Sequence, residues 1–180
     1  MTISFATVRT NLYNWAVANV PAGMPVVIYY PNAPRPTVDY VSLYITSVVQ
    51  IGRDYTEGPL DNTGVSNMYG DREFTLRVEA YGGDSLTILE NLRTSLQVAS
   101  VLASLRAVGL VYVDWYPITD VTDLIDSRFE SRGSWDSRWR LAQVYTENIG
   151  NINTAVVTET IKNALGNVVF TEVLTIPPPP

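Results

Sequence analysis

Apolar residues spaced three and four positions apart predict two helices. The first is expected between a cap at Ser4 and the stop signal Val20-Pro21-Ala22-Gly23. The second opens at Asp84 or Ser85 and ends at Gly109, and we expect a single helix of about 24 residues lying across a sheet. The apolar stripes consist of Phe5, Val8, Leu12 and Trp15 in the first helix and of Leu86, Leu89, Leu92, Leu96, Ala99 and Ala103 in the second.

Alternating apolar and polar residues predict strands over residues 26–30, 40–51, 73–81 and 110–116. The polar stretch 53–70 is expected to form a long loop, and residues 120–126 a helical turn or a loop. Residues 155–165 and 168–176 flank Gly166-Asn167, which predicts a hairpin with a two-residue turn.

The strands come in runs instead of alternating strictly with helices, which favours an α+β fold. We expect a mainly antiparallel β-sheet packed by one long helix and an N-terminal helix, with a C-terminal β-hairpin. Residues 1–150 are predicted to form the α+β domain, residues 151–176 the hairpin extension and residues 177–180 a polyproline tail.

The longest alternation, over residues 128–145, separates an aromatic row from a charged row. An unbroken strand here would run roughly 60 Å, so we expect a bend or bulge at Gly133. The aromatic row, expected to be buried, is Phe129, Ser131, Gly133, Trp135, Ser137, Trp139 and Leu141. The charged row is either a solvated face or a subunit interface, because arginine pairs bidentately with carboxylates. Its candidate interface residues are Arg128, Glu130, Arg132, Asp136, Arg138 and Arg140.

Two further segments are candidates for contact with partners. The predicted loop is either an idle connection or a partner contact, through Arg53, Asp54, Tyr55, Glu57, Asp61 and Tyr69. The predicted hairpin is apolar on both faces and carries few charges that would protect an open edge. Because a lone hairpin is marginally stable, we expect it to extend the domain sheet or to pair with a neighbouring subunit.

The composition excludes several kinds of chemistry. Among 180 residues there is no histidine and no cysteine, which removes serine triads, papain-like dyads, disulfides and the usual zinc sites. The net charge of −6 argues against a sequence-reading nucleic-acid binder. No apolar run is long enough to span a bilayer, and the start of the chain lacks the pattern of a signal peptide. We therefore expect a protein that is not an enzyme, has no membrane partner and is made in a reducing cytoplasm.

Two remaining features could suggest a metal site or a phosphate site, but neither has the residue spacing that such a site needs. Asp114, Asp120, Asp123 and Asp126 form the main concentration of carboxylates, but their spacing matches no EF-hand loop. Gly82-Gly83 lacks the spacing of a phosphate-binding loop and fits a turn between a strand and a helix. We therefore predict no metal, no cofactor and no catalytic residue.

The chain resembles the neck or tail terminator proteins of tailed bacteriophages, in particular the neck-terminator-like family of contractile-tailed phages. The resemblance covers about residues 2–162 and rests on short motifs in order: Pro34-Arg35-Pro36, Tyr40-Val41-Ser42-Leu43, Gly70-Asp71-Arg72-Glu73-Phe74-Thr75-Leu76, Tyr81-Gly82 and Arg128-Phe129-Glu130-Ser131-Arg132.

The resemblance implies a ring of six subunits at the neck of the virion, at the top of the tail. Such a ring caps the tail tube and binds the tube protein, the head-side adaptor or connector protein and the sheath protein, while double-stranded DNA passes through it without being read. The residues themselves leave three alternatives open. These are another head–tail joining or tube protein, a module that binds carbohydrate or peptide on an aromatic surface, and a metal hydrolase built on the carboxylates between Asp114 and Asp126.

Overall fold

The computed structural model describes residues 4–28, 34–56, 65–125, 128–148 and 155–176. The helices of these residues are α1 (Phe5–Asn19), α2 (Ser85–Ser95) and α3 (Ala99–Ala107). The strands are β1 (Val26–Ile28), β2 (Tyr40–Thr56), β3 (Val65–Tyr81), β4 (Val111–Trp115), β5 (Thr119–Asp120), β6 (Asp123–Ile125), β7 (Arg128–Glu130), β8 (Arg132–Asn148), β9 (Ala155–Lys162) and β10 (Val168–Ile176). The described residues fall into two compact units, one within Met1–Tyr55 and Met68–Tyr145 and the other within Thr56–Asn67 and Thr146–Pro180. The predicted boundary at residue 150 stays a prediction.

Six strands form one sheet in the order β1-β2-β3-β8-β4, and β5 also pairs with β8. β1 runs parallel to β2, whereas β4 and β5 run antiparallel to β8. The ring of Tyr40, at the start of β2, stacks 4.5 Å from that of Tyr81, at the end of β3, so these strands are antiparallel. Gly82, just after β3, donates its N–H to the carbonyl of Ser131, just before β8, so β3 and β8 are antiparallel as well. The predicted α+β class with a mainly antiparallel sheet is confirmed.

The helices cover one face of this sheet, and the core lies between them. Trp139 of β8 is fully buried and packs edge-on against Trp15 of α1, with ring centroids 5.8 Å apart. The inward residues predicted for β3 are all buried, and they are Phe74, Leu76, Val78 and Ala80. Burial of these apolar side chains is the dominant force that stabilises the unit.

The predicted N-terminal helix is confirmed. The Ser4 hydroxyl accepts a hydrogen bond from the N–H of Thr7, which satisfies a free donor of the first turn. The helix ends where Val20 becomes extended ahead of Pro21, a residue whose predecessor avoids the helical region.

The predicted single helix over residues 85–108 is wrong, because it is divided into α2 and α3. The Ser95 hydroxyl donates to the carbonyl of Leu92 and accepts from the indole N–H of Trp15. After it, Leu96, Gln97 and Val98 donate to carbonyls three residues back, and Val98 then becomes extended before α3 begins. The bond to Trp15 fixes this tightened turn, and no periodicity within the helix encodes it.

The predicted loop over residues 53–70 is also wrong for the described residues at its two ends. Residues 53–56 continue β2 and residues 65–70 begin β3, while 57–64 lie outside the described residues. The guanidinium of Arg72 pairs with both carboxylate oxygens of Asp54, and Tyr55 stacks on Tyr69 with ring centroids 5.5 Å apart. A Cβ on Gly70 would lie 2.0 Å from Asp54 Oδ1, so this glycine makes room for the ion pair.

The interruption of the long alternation lies at Ser131, not at Gly133. β8 continues through Gly133 as one strand of 17 residues. A Cβ at Gly133 would lie 2.7 Å from Leu89 Cδ1, so the glycine allows α2 to pack closely on β8. Phe129, which was expected to be buried, lies in β7 outside the main sheet and is 80% exposed.

Two shorter predictions also need correction. Residues 119–120 and 123–125 are strands, not a helical turn, because they pair with β8 and β7. The hairpin is confirmed, but its turn spans residues 163–167 instead of two residues. The Asn163 side chain accepts hydrogen bonds from the N–H groups of Leu165 and Asn167, which stabilises the longer turn.

Candidate assembly surface

The charged row of β8 lies on the sheet face opposite the helices, where its members form ion pairs with β3. Arg77 Nε and Nη2 donate to Asp136 Oδ1 and Oδ2 at 2.7 and 2.8 Å. Arg132 Nη2 donates to Glu79 Oε1 at 2.9 Å. At the other end of the row, Arg140 Nε donates to a carboxylate oxygen of Glu73 at 3.1 Å. We call these pairs, together with Asp114–Arg138, the ion-pair row.

Asp114 joins the ion-pair row through an irregularity in β4. Tyr112 faces Trp139 and Asp114 faces Arg138, so Val113 is an extra residue that the pairing skips. Such a bulge reverses the side on which the following residue points. Asp114 therefore accepts hydrogen bonds from Nε and Nη2 of Arg138. These bonds hold the pKa of the Asp114 carboxyl below its ordinary value and raise the pKa of Arg138.

Arginine and tyrosine side chains form a stacked cluster beside the end of the ion-pair row. The guanidinium carbons of Arg35 and Arg132 lie 5.2 and 4.9 Å from the ring centroid of Tyr81. The Tyr81 hydroxyl donates to Glu79 at 2.6 Å, and burial followed by this bond raises the pKa of Tyr81. Arg35 also forms an ion pair with Glu130 of β7. The cluster attaches the segment before β2 to the adjoining ends of β3 and β8.

The structure brings together most of the predicted interface residues. Arg132, Asp136, Arg138 and Arg140 share the outer face of β8, and Glu130 is held by Arg35. Arg128 lies in β7, but its side chain falls outside the described residues. The partners that sequence reasoning missed belong to the same chain, and they are Glu73, Arg77, Glu79 and Asp114. A use of this row between subunits stays a prediction.

The residues predicted for a partner-contact loop are placed differently. Arg53, Asp54 and Tyr55 belong to β2 and Tyr69 to β3, whereas Glu57 and Asp61 lie outside the described residues. Asp54 is engaged by Arg72, which lowers the pKa of its carboxyl. Arg53 and Tyr55 are exposed, and contact with a partner through these four residues stays a prediction.

The carboxylates between Asp114 and Asp123 do not converge. Asp114 binds Arg138, and Asp120 accepts hydrogen bonds from the N–H and hydroxyl of Thr122, which lower the pKa of its carboxyl. Asp126 lies outside the described residues. Across the part of the chain that is described, no three acidic side chains lie close enough together to hold a metal ion. Nor does any described helix have the length and hydropathy needed to cross a membrane.

The hairpin of β9 and β10 forms a two-stranded sheet of its own. Its residues 156–176 are all exposed, although many are apolar. Leu174, Phe170 and Ile161 expose 56%, 49% and 52% of their surface. Contiguous exposed apolar surface is typical of a site that a partner covers.

The described part of the chain thus combines an α+β sheet, whose outer face carries ion pairs, with a hairpin whose apolar residues are exposed. The sequence matches the family of phage neck terminator proteins over residues 6–164, and the chain belongs to this family. It is therefore a structural tail terminator protein and a component of the virion. The resemblance noted from the sequence is confirmed.

Comparison with solved structures supports the fold. The chain is similar to the sheath/tube terminator of the extracellular contractile injection system PVC, determined in its extended state by cryo-EM, with a TM-score of 0.52 and 9% sequence identity. The match covers 91% of this chain and 65% of that terminator, so this chain spans less than two thirds of its length. No curated protein matches the sequence.

Proposed function

We propose that this chain is a non-enzymatic subunit of a six-membered ring that caps the tail tube at the neck of the virion. The match to the phage neck terminator family over residues 6–164 carries this proposal. The ring joins the tube to the head-side adaptor or connector, and double-stranded DNA passes through its lumen. The tail tube protein and the sheath protein are its partners on the tail side.

Three properties of the chain support this role. The exposed hairpin supplies apolar surface that a partner would bury. The net charge of −6 would let acidic side chains line a lumen that repels the phosphates of DNA and does not retain it. The absence of cysteine suits synthesis in the reducing host cytoplasm before assembly.

The mass of the purified protein and its appearance in electron micrographs test the ring. We expect closed rings of six copies that bind to the ends of purified tail tubes. Rings that bind only the head-side proteins would favour the alternative of another head–tail joining protein. A monomer under all conditions, together with absence of the protein from virions, would contradict the proposal.

Substitution of the acidic side chains tests the absence of enzymatic chemistry. Asp120→Asn together with Asp123→Asn removes two carboxylates of the former metal-site candidate. We expect ring formation and phage infectivity to stay unchanged, because neither carboxylate belongs to a group of three or more described acidic side chains that could hold a metal ion. A lost hydrolytic activity with intact rings would instead favour the metal hydrolase.

A further inference from the structure

The two faces of the hairpin differ in chemistry, as the pairing of β9 with β10 shows. Paired residues of an antiparallel ladder share a face, so the register sorts the side chains into two sets. One face is rich in threonine, with Thr158, Thr160, Thr171 and Thr175. The other, here called the apolar hairpin face, carries Val157, Glu159, Ile161, Phe170, Glu172, Leu174 and Ile176.

A pair of like charges lies in the middle of the apolar hairpin face. Glu159 is directly opposite Glu172, with Ile161 and Phe170 on one side and Val157 and Leu174 on the other. Like charges directly across a ladder destabilise it, and apolar neighbours provide no compensation. A partner that places a cation between these carboxylates would remove their repulsion. If it also covered the flanking apolar side chains, it would remove the cost of exposing them to water.

The chain itself carries a surface of the complementary kind on α1. Arg9, Tyr13 and Val17 are spaced four residues apart, so they form one stripe, and all three are exposed. Arg9 forms no ion pair with any other described residue. The stripe is about 12 Å long at 1.5 Å per helical residue. The distance from Glu172 to Ile176 is about 14 Å at 3.4 Å per strand residue, so the two surfaces match in length.

Two other exposed arginines fit the acid pair less well. Arg106 lies in the last turn of α3, where the helix dipole already favours its charge. Arg53 is adjacent in sequence to the carboxylate of Asp54. Arg9 lies in the second turn of α1, and the exposed Tyr13 and Val17 follow it on the same stripe, as Leu174 and Ile176 follow Glu172 on the apolar hairpin face.

We propose that the apolar hairpin face of one subunit docks on the α1 stripe of a second copy of this chain, with the partner copy's Arg9 between Glu159 and Glu172. In this arrangement Tyr13 of the second copy covers Val157 and Leu174, and its Val17 meets Ile176. The inference rests on the proposed ring, in which each subunit can donate a hairpin to its neighbour. A swapped hairpin of this kind would link adjacent subunits.

Engineered cysteines test the contact in the full-length protein. The chain has no cysteine, so a chain with Leu174→Cys mixed with a chain with Tyr13→Cys can form a mixed disulfide only between two molecules. We expect this mixed product to exceed by about tenfold that formed with Thr175→Cys, because Thr175 lies on the opposite face and a disulfide needs Cα atoms within about 7 Å. Equal yields from the two hairpin variants would overturn the proposal.

Charge reversal tests the role of Arg9. Glu159→Arg with Glu172→Arg should weaken association of subunits about tenfold or more, and Arg9→Glu in the same chain should restore it. Arg106→Glu serves as the matched control and should restore nothing. Rescue by Arg106→Glu, or rescue by neither change, would overturn the proposed position of Arg9.

The two measurements separate this inference from the proposed ring. Rings without the mixed disulfide would overturn the hairpin contact and leave the ring intact. A mixed disulfide in pairs or open chains of subunits, without closed rings, would overturn the ring and support the contact. Monomers without a mixed disulfide would overturn both.

Discussion

Arg77 of β3 holds Asp136 of β8 through two parallel hydrogen bonds of 2.7 and 2.8 Å between the planar groups of the two side chains. The pair is half-buried on the outer face of the sheet, with side-chain exposures of 37% and 25%. Its geometry fixes the register of two neighbouring strands, because a shift by one residue would send both side chains to the opposite face.

Removal of this pair should lower the stability of the fold. In a double-mutant cycle of Arg77→Ala and Asp136→Ala, we expect a coupling free energy of about 1 kcal/mol between the two side chains. This value lies at the upper end of the range for partly exposed ion pairs, because the contact is bidentate. Urea denaturation gives the free energies of unfolding. Arg53→Ala, which removes an exposed arginine, serves as the control and should have little effect. A coupling near zero would mean that the contact does not contribute to stability.

Gly133→Ala should destabilise the packing of α2 on the sheet. The new methyl group would lie 2.7 Å from Leu89 Cδ1, and Leu89 is fully buried and cannot move away freely. Overpacking of this kind costs about 1–3 kcal/mol, measured as a lower urea midpoint. Ser134→Ala, on the outer face of the same strand, is the matched control. An unchanged midpoint for Gly133→Ala would contradict the close approach of the helix.

Ser95→Ala should leave the buried indole N–H of Trp15 without an acceptor, since the two groups lie 3.1 Å apart in the core. A buried donor left unsatisfied costs about 1–3 kcal/mol, and thermal or urea unfolding measures that loss. Ser104→Ala is the control, because its hydroxyl donates to the Val101 carbonyl at an exposed site. Equal effects of the two substitutions would argue against the role given to the Trp15 bond.

The stability of the fold should fall in acid and stay level near neutral pH. Hydrogen bonds from Arg138 and Arg72 lower the pKa of Asp114 and Asp54 in the folded chain. Such carboxylates contribute their full stabilisation above the unfolded pKa of about 4, and lose it as the pH falls through the lower folded value. The chain has no histidine, so no side chain of that type titrates between about pH 5 and 7.

Urea midpoints measured from about pH 7 to about pH 2 check this dependence. The wild-type midpoint should be level down to about pH 5 and then decrease. A variant with Asp114→Asn and Asp54→Asn should start from a lower midpoint and decrease less steeply in acid, since it lacks two of the groups responsible. A midpoint that rises on acidification would contradict the sign of these pKa shifts.

Part of the ion-pair row could have been predicted from the sequence. The outward residues Glu73, Arg77 and Glu79 of β3 and Arg140, Asp136 and Arg132 of β8 have opposite signs when the strands are aligned antiparallel. That complementarity predicts their pairing. Asp114 could not have been added in this way, because the bulge at Val113 decides the face on which Asp114 points.

The sequence alone was enough to predict the first helix, the alternation of β8, the buried apolar set of β3 and the hairpin, because periodicity, caps and turn residues act between near neighbours in the chain. It also carried the motifs that indicated the terminator family. Three features became apparent only in the folded chain: residues 53–56 and 65–70 are strands, the predicted long helix divides at Ser95, and the charged row pairs with residues of its own chain. These outcomes depend on contacts between residues far apart in sequence, such as Asp54 with Arg72 and Trp15 with Ser95, which override local propensity.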